Sequence, residues 1–204
     1  MGGNMIIGFH LNISCYGHWQ PNDPRGSGSR YVGSKKLFAV GGKATKTDSR
    51  RSVAHVPHDV CLRLQIKESL KYPPVLFSER QIEMVGTAFG TLLQEKNIAA
   101  FACTVVPDHA HLLIGRTDIP IDELVLLLKD VAVASLMRND RHPRSALPSY
   151  SEPLTGATSV WAVGGWKVFV DNPEQMYATI QYIENHCSSQ RWPFVVPYTG
   201  VPAK

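Results

Sequence analysis

Apolar and polar residues alternate from residue 7 to residue 15, with Ile7, Phe9, Leu11, Ile13 and Cys15 on one side and Gly8, His10, Asn12 and Ser14 on the other. This period of two predicts a strand with one buried face. Residues 16–57 break the pattern. They are rich in Gly, Pro, Ser and charge, carry a turn signal at Asn22-Asp23-Pro24-Arg25-Gly26, and hold a single apolar cluster, Leu37-Phe38-Ala39-Val40. They read as a long N-terminal insertion packed on the domain. Residues 59–72 fit a strand through Val60, Leu62, Leu64 and Ile66 and a helix through Leu62, Ile66 and Leu70, with helix the preferred reading before the Tyr72-Pro73-Pro74 stop. Ser78 with Gln81 forms a capping box. Ile82, Val85, Phe89, Leu92 and Leu93 then give the stripe of a helix ending near Asn97.

Residues 98–106 and 109–115 predict two strands joined at Pro107-Asp108, a hairpin. A helix follows with Pro120 at its first position, burying Leu124, Leu127, Leu128 and Val131 and ending in the basic tail Arg138, Arg141, Arg144. Residues 142–159 read as loop, Val168-Phe169-Val170 as a short strand, and Asp171-Asn172-Pro173-Glu174 as the start of a helix reaching about residue 189. No internal repeat is visible. The whole is a single α+β domain over residues 1–204, an antiparallel sheet with helices packed on it.

With 204 residues, 44% of them hydrophobic and 19% charged, the chain is long and apolar enough to bury a core without disulfides or metals as staples. No stretch reaches the ~18 uninterrupted apolar residues of a membrane span, and neither a secretion signal nor a lipidation motif is expected at the N-terminus. The four cysteines show no Cys-x-x-Cys spacing and are read as reduced, which predicts a cytoplasmic protein. Charge sharpens the picture. The net charge is +4, yet residues 25–51 alone carry +7 through Arg25, Arg30, Lys35, Lys36, Lys43, Lys46, Arg50 and Arg51 against Asp48. Such clustering suits a polyanion, and a solvated loop is the plain alternative.

Two features carry candidate chemistry. His109-Ala110-His111 places two imidazoles on one face of the outgoing hairpin strand, where both can reach one cation. On the last helix Met176, Ile180, Ile183 and Cys187 form the buried stripe, while Gln175, Thr179, Tyr182 and His186 form a flank, so Tyr182 and His186 lie one turn apart. Each feature alone has an ordinary reading, as polar strand positions and as a helix boundary.

Together they resemble a known family. Val105 to Ile114, with two histidines flanking a hydrophobic residue, resembles the strand motif of the HUH single-tyrosine transposases, and Gln181 to His186 resembles their tyrosine helix. The REP-associated tyrosine transposase-like branch is the closer resemblance, through residues 16–26, 161–171 and 190–194, and it covers nearly the whole chain. The resemblance implies a ferredoxin-like (RRM-like) fold and a homodimer that nicks and rejoins single-stranded DNA near hairpins through a 5′-phosphotyrosine. It implies Tyr182 as the nucleophile and His109, His111 and His186 as ligands of a divalent metal, Mg²⁺ or Mn²⁺. The family's third ligand is normally Gln or Asn, so His186 is a departure. The Asn-Pro that often follows is replaced by His186-Cys187. Arg25, Arg30, Lys35, Lys36, Arg138 and Arg141 are the expected DNA contacts. A noncatalytic single-stranded DNA-hairpin binder and a His₃ zinc hydrolase are the competing functions.

Overall fold

A computed structural model describes residues 5–49, 52–139, 141–143, 160–186 and 190–200. Four strands, β1 (Gly8–Ser14), β2 (Ala100–Val106), β3 (His109–Gly115) and β4 (Trp166–Val170), form one antiparallel sheet in the order β2-β3-β1-β4. Among the described residues there are five helices: α1 (Lys35–Gly41), α2 (Val60–Glu68), α3 (Glu79–Glu95), α4 (Ile121–Arg138) and α5 (Pro173–His186). None is long and apolar enough to cross a membrane.

The strand alternation decides what each face carries. Leu11 and Ile13 of β1, Val105 of β2, and Ala110, Leu112 and Ile114 of β3 point into the main core with Val85, Phe89 and Leu93 of α3 and Leu124 and Leu128 of α4. On the opposite face Ala102, Leu113 and Val170 pack under Met176 and Ile183 of α5. His109 and His111, in phase with Leu113, share this second face with His10, which is in phase with Gly8 and Asn12. The expectation that β1 has only one buried face is therefore corrected. β1 lies between β3 and β4, and His10 on its polar side is only 6% exposed because α5 and neighbouring strands close over it.

Local signals set the helix starts. Ser78 and Gln81 make a reciprocal capping box at α3, Asp59 accepts from Leu62 N at the start of α2, and Asn172 accepts from Gln175 N at the start of α5. The helical reading of residues 59–72 thus holds for α2. Pro120 precedes the first turn of α4 rather than occupying it. β4 begins at Trp166, two residues before the predicted strand. The long segment after β1 is better built than its composition suggests: Ser34 caps α1, Asn22 Nδ2 donates to Leu37 O at 2.7 Å, and Thr45 Oγ1 donates to Asp23 O at 2.5 Å. Residues 144–159 of the predicted loop and the last turn to residue 189, with Arg50, Arg51, Arg144 and Cys187, lie outside the described residues.

The C-terminal segment docks on α3 through two glycines one turn apart. A Cβ at Gly86 would fall inside the Trp192 ring, and one at Gly90 would overlap Phe194. Gly86→Ala is accordingly expected to destabilise the fold by about 1–3 kcal/mol, because overpacking outweighs the gain in helix propensity. Urea unfolding of the variant beside the parent checks this. Gln190 holds the same segment to β2, its amide accepting from Val105 N at 2.8 Å and donating to Val105 O, as a backbone partner would.

Candidate active site

The antiparallel register pairs Asn12 with His111 and His10 with Leu113, which makes His10 and His111 diagonal neighbours on the α5 face. His10 Nε2 and His111 Nδ1 stand 3.0 Å apart, one donating and the other accepting. α5 crosses the same face with its apolar stripe down, and its flank brings Tyr182 and His186 to the histidines. Ring centroids separate His186 from Tyr182 by 4.6 Å, from His111 by 4.9 Å and from His109 by 5.9 Å; Tyr182 lies 5.4 Å from His111 and 6.0 Å from His10.

His109, His111 and His186 each offer a nitrogen, and these atoms lie within 4.8 Å of one another. Which nitrogen each can offer follows from its other contact. His109 Nδ1 donates to Asp108 Oδ1 at 2.7 Å, His111 Nδ1 is engaged by His10, and His186 Nδ1 donates to the Tyr182 carbonyl at 3.2 Å. In all three rings Nδ1 is occupied, so Nε2 is the atom left for a ligand.

Burial keeps the inner imidazoles neutral. It lowers the pKa of His10 to about 4, assisted by the nearby charge of His186, and it lowers that of His111 to about 2, assisted by the surrounding histidines, His10 first. At neutral pH both are therefore uncharged, and donation from His111 Nδ1 to His10 Nε2 leaves the His111 Nε2 lone pair free. Burial acts to raise Asp108, but hydrogen bonds from His109 and His18, together with their charge, outweigh it and hold the carboxyl below the usual carboxylate range. Burial alone raises the Tyr182 phenol above its ordinary value, although the residue remains 39% exposed. The hydroxyl is thus protonated at neutral pH.

The expected residues divide into a group that converges and a group that does not. Tyr182, His109, His111 and His186 come together from β3 and α5. Of the basic residues, Arg30, Lys35 and Lys36 are exposed on the segment after β1, and Arg138 and Arg141 are exposed at the end of α4 and beyond it. Arg25 is turned inward. Its guanidinium makes two contacts of 2.8 Å with the Asp23 carboxylate and lies 3.8 Å over the Trp19 ring, leaving the side chain 11% exposed, so it braces the segment instead of presenting a free charge.

His10, His18 and Asp108 are site residues that the sequence pattern does not single out. Asp108 reads there only as a turn residue, yet its two oxygens bind His109 and His18, each at 2.7 Å, and the His18 ring stacks on that of His109 at 4.8 Å. The available signal is the position of Asp108 immediately before the His-x-His pair. For His10 it is the polar side of a strand that any hairpin partner would place beside β3.

No protein-family model matches the chain, and no curated protein matches its sequence. Among solved structures it is similar to a protein from Deinococcus radiodurans R1 provisionally assigned as a transposase, at 17% identity and a TM-score of 0.39, over 91% of this chain and 94% of the other. It is also similar to a REP-associated tyrosine transposase bound to a REP hairpin, at 10% identity and a TM-score of 0.45, over 95% of this chain and 79% of the other. At this level of similarity the geometry of the site has to carry the functional reading.

Proposed function

We propose that the chain is a metal-dependent transesterase that nicks and rejoins single-stranded DNA near hairpins, as a homodimer of HUH single-tyrosine type on a ferredoxin-like fold. The β-α-β-β-α-β course through α3 and α4 and the strand order β2-β3-β1-β4 support that fold, with the segment from residue 16 to 57 as an insertion. The observation that carries the function is the convergence of one ring nitrogen from each of His109, His111 and His186, with the Nδ1 of every ring engaged and a tyrosine one helical turn before the third histidine.

The donor set fits a divalent cation, because three neutral imidazoles suit Mn²⁺ and later transition ions better than the harder Mg²⁺. Bound there, the cation supplies charge neutralisation at a phosphodiester oxygen. Tyr182 does the covalent work. Its Oη attacks phosphorus, the bond to the 3′ oxygen breaks, the phenol proton leaves to solvent and the 3′ oxygen takes one up. The new phosphotyrosine retains the energy of the broken linkage, so a 3′ hydroxyl can reverse the step without ATP. Incubation of the protein with hairpin-bearing single-stranded DNA and Mn²⁺ should yield a covalent complex that survives denaturation.

His186 marks the metal preference. His186→Gln replaces an imidazole by a hard oxygen donor and is expected to shift the preference from Mn²⁺ toward Mg²⁺, whereas His186→Ala should weaken binding without abolishing it; titration of each variant with both ions checks this. The exposed cations are assigned to the DNA backbone. Neutralising Arg30, Lys35 and Lys36 together should lower affinity and reduce the slope of log affinity against log salt by about 0.7 for each phosphate that is no longer neutralised. An unchanged slope would assign the phosphates to Arg138 and Arg141 instead.

A further inference from the structure

We infer that Asp108 and His18 form an outer shell that fixes which nitrogen His109 presents and how strongly it binds, so that metal affinity depends on two residues that touch no metal. This rests on the proposal that His109, His111 and His186 hold a cation. Asp108 sits in the two-residue turn between β2 and β3, immediately before His109, and its backbone carbonyl accepts from Cys15 N at 2.8 Å, which pins the turn to the end of β1. The carboxylate then spans two rings, Oδ1 on His109 Nδ1 and Oδ2 on His18 Nδ1, both at 2.7 Å.

His18 is itself placed by the chain turn after β1, where its backbone N donates to Cys15 O at 3.2 Å. The Asp108 side chain is thus held from both ends. Its negative charge makes His109 a stronger donor at Nε2 and prevents the ring from flipping to offer Nδ1. His18, Asp108 and His109 also form a cluster of three possible ligand atoms, so a second cation is the competing use of the same residues. The two contacts of 2.7 Å favour the outer shell, since each nitrogen-oxygen pair at that separation is a hydrogen bond occupied by a proton. Beyond His18 the packing continues outward to Trp19, at 5.8 Å between ring centroids, and from Trp19 to Arg25. The same segment that carries the exposed cations therefore braces the metal ligand.

The test is calorimetric titration of the full chain with Mn²⁺ at fixed pH, using the parent, Asp108→Asn, His18→Phe and His109→Ala, with thermal unfolding of each recorded in parallel. Asp108→Asn should raise the Mn²⁺ Kd about 10–100-fold, and His18→Phe should raise it by less, with one ion bound throughout. Parent-like affinity in Asp108→Asn would overturn the inference while leaving the metal reading intact. Two ions in the parent, one of them lost in His18→Phe, would also overturn it by making the cluster a cation site. A parent that binds no Mn²⁺ would instead bring down the reading on which the inference rests. If Asp108→Asn does not fold, two-bond proton-nitrogen spectra of the ¹⁵N-histidine-labelled parent decide the matter. His109 should appear as the Nδ1–H tautomer with its Nε2 resonance shifting on addition of Zn²⁺, and an Nε2–H tautomer would refute the assignment.

Discussion

Replacing Tyr182 by Phe is expected to eliminate covalent capture of DNA while leaving affinity for a hairpin within about twofold of the parent. The substitution removes one oxygen from a ring that remains packed beside His186 and His111, so the surrounding site has little reason to move. Its loss is decisive for the chemistry because no bond to phosphorus forms without that oxygen. It is minor for binding because backbone phosphates dominate affinity for single strands. The comparison is a denaturing gel for adduct beside a filter-binding or anisotropy measurement for affinity. An adduct persisting in Tyr182→Phe would transfer the nucleophile to another tyrosine, with Tyr177, 50% exposed on the same helix, the first to test. Loss of both adduct and affinity would show that the tyrosine helix serves mainly to bind.

The metal-free protein is also expected to lose stability as pH falls below neutrality. His10 and His111 are folded as neutral imidazoles, with pKa values lowered from 6.5 to about 4 and about 2. Below pH 6.5 the unfolded chain takes up protons that the folded chain refuses, so stability is full above that pH and decreases as pH falls through the window from 6.5 to 4. For His10 the lowering corresponds to a loss on the order of 3 kcal/mol by pH 4; His111 adds to it and continues to do so below pH 4. Asp108, held below its ordinary range, acts in the same direction once the carboxylate window is reached. Urea unfolding with a chelator present, from pH 7 to pH 4, should show this decline. His10→Phe should flatten it by removing one of the two titrating rings. A midpoint independent of pH over that interval would mean that the two rings are far more accessible to water and protons than their packing shows.

Much of this architecture can be read from local pattern because it is locally encoded. The alternation from Ile7 to Cys15, the capping box at Ser78 and the apolar stripe of α5 each report a backbone period and a buried side. Asn172 announces a helix start by the same logic. The His-x-His spacing likewise fixes two rings on one face of a strand, and Tyr182 with His186 on one flank of a helix.

What local pattern does not encode is which strand becomes central and what lies diagonally across it. His10 is an ordinary polar strand residue until β1 is set between β3 and β4, and only then does it become the neighbour that occupies His111 Nδ1. Asp108 and His18 are ninety residues apart in sequence and meet only when the turn between β2 and β3 closes on the end of β1. Arg25 shows what charge counting leaves out. Charge counting treats every cation as available, whereas Asp23 beside it and Trp19 six residues earlier engage this one internally. The helix α1 is illegible in the sequence because its four apolar residues are too few to show a period, and Leu37 alone is buried.

The most direct measurement of the central claim is strand polarity in the covalent product. A hairpin-bearing single strand is labelled at its 5′ end in one sample and at its 3′ end in another, and each is incubated with the protein and Mn²⁺ before denaturation and digestion. If Tyr182 attacks phosphorus and expels the 3′ oxygen, the 3′-labelled fragment remains attached to the peptide containing Tyr182, and the 5′-labelled fragment is released with a free 3′ hydroxyl. Cleavage that leaves both labels in free DNA, with a 5′ phosphate on the downstream fragment and no peptide attached, would contradict the account and make the three histidines the centre of a hydrolase.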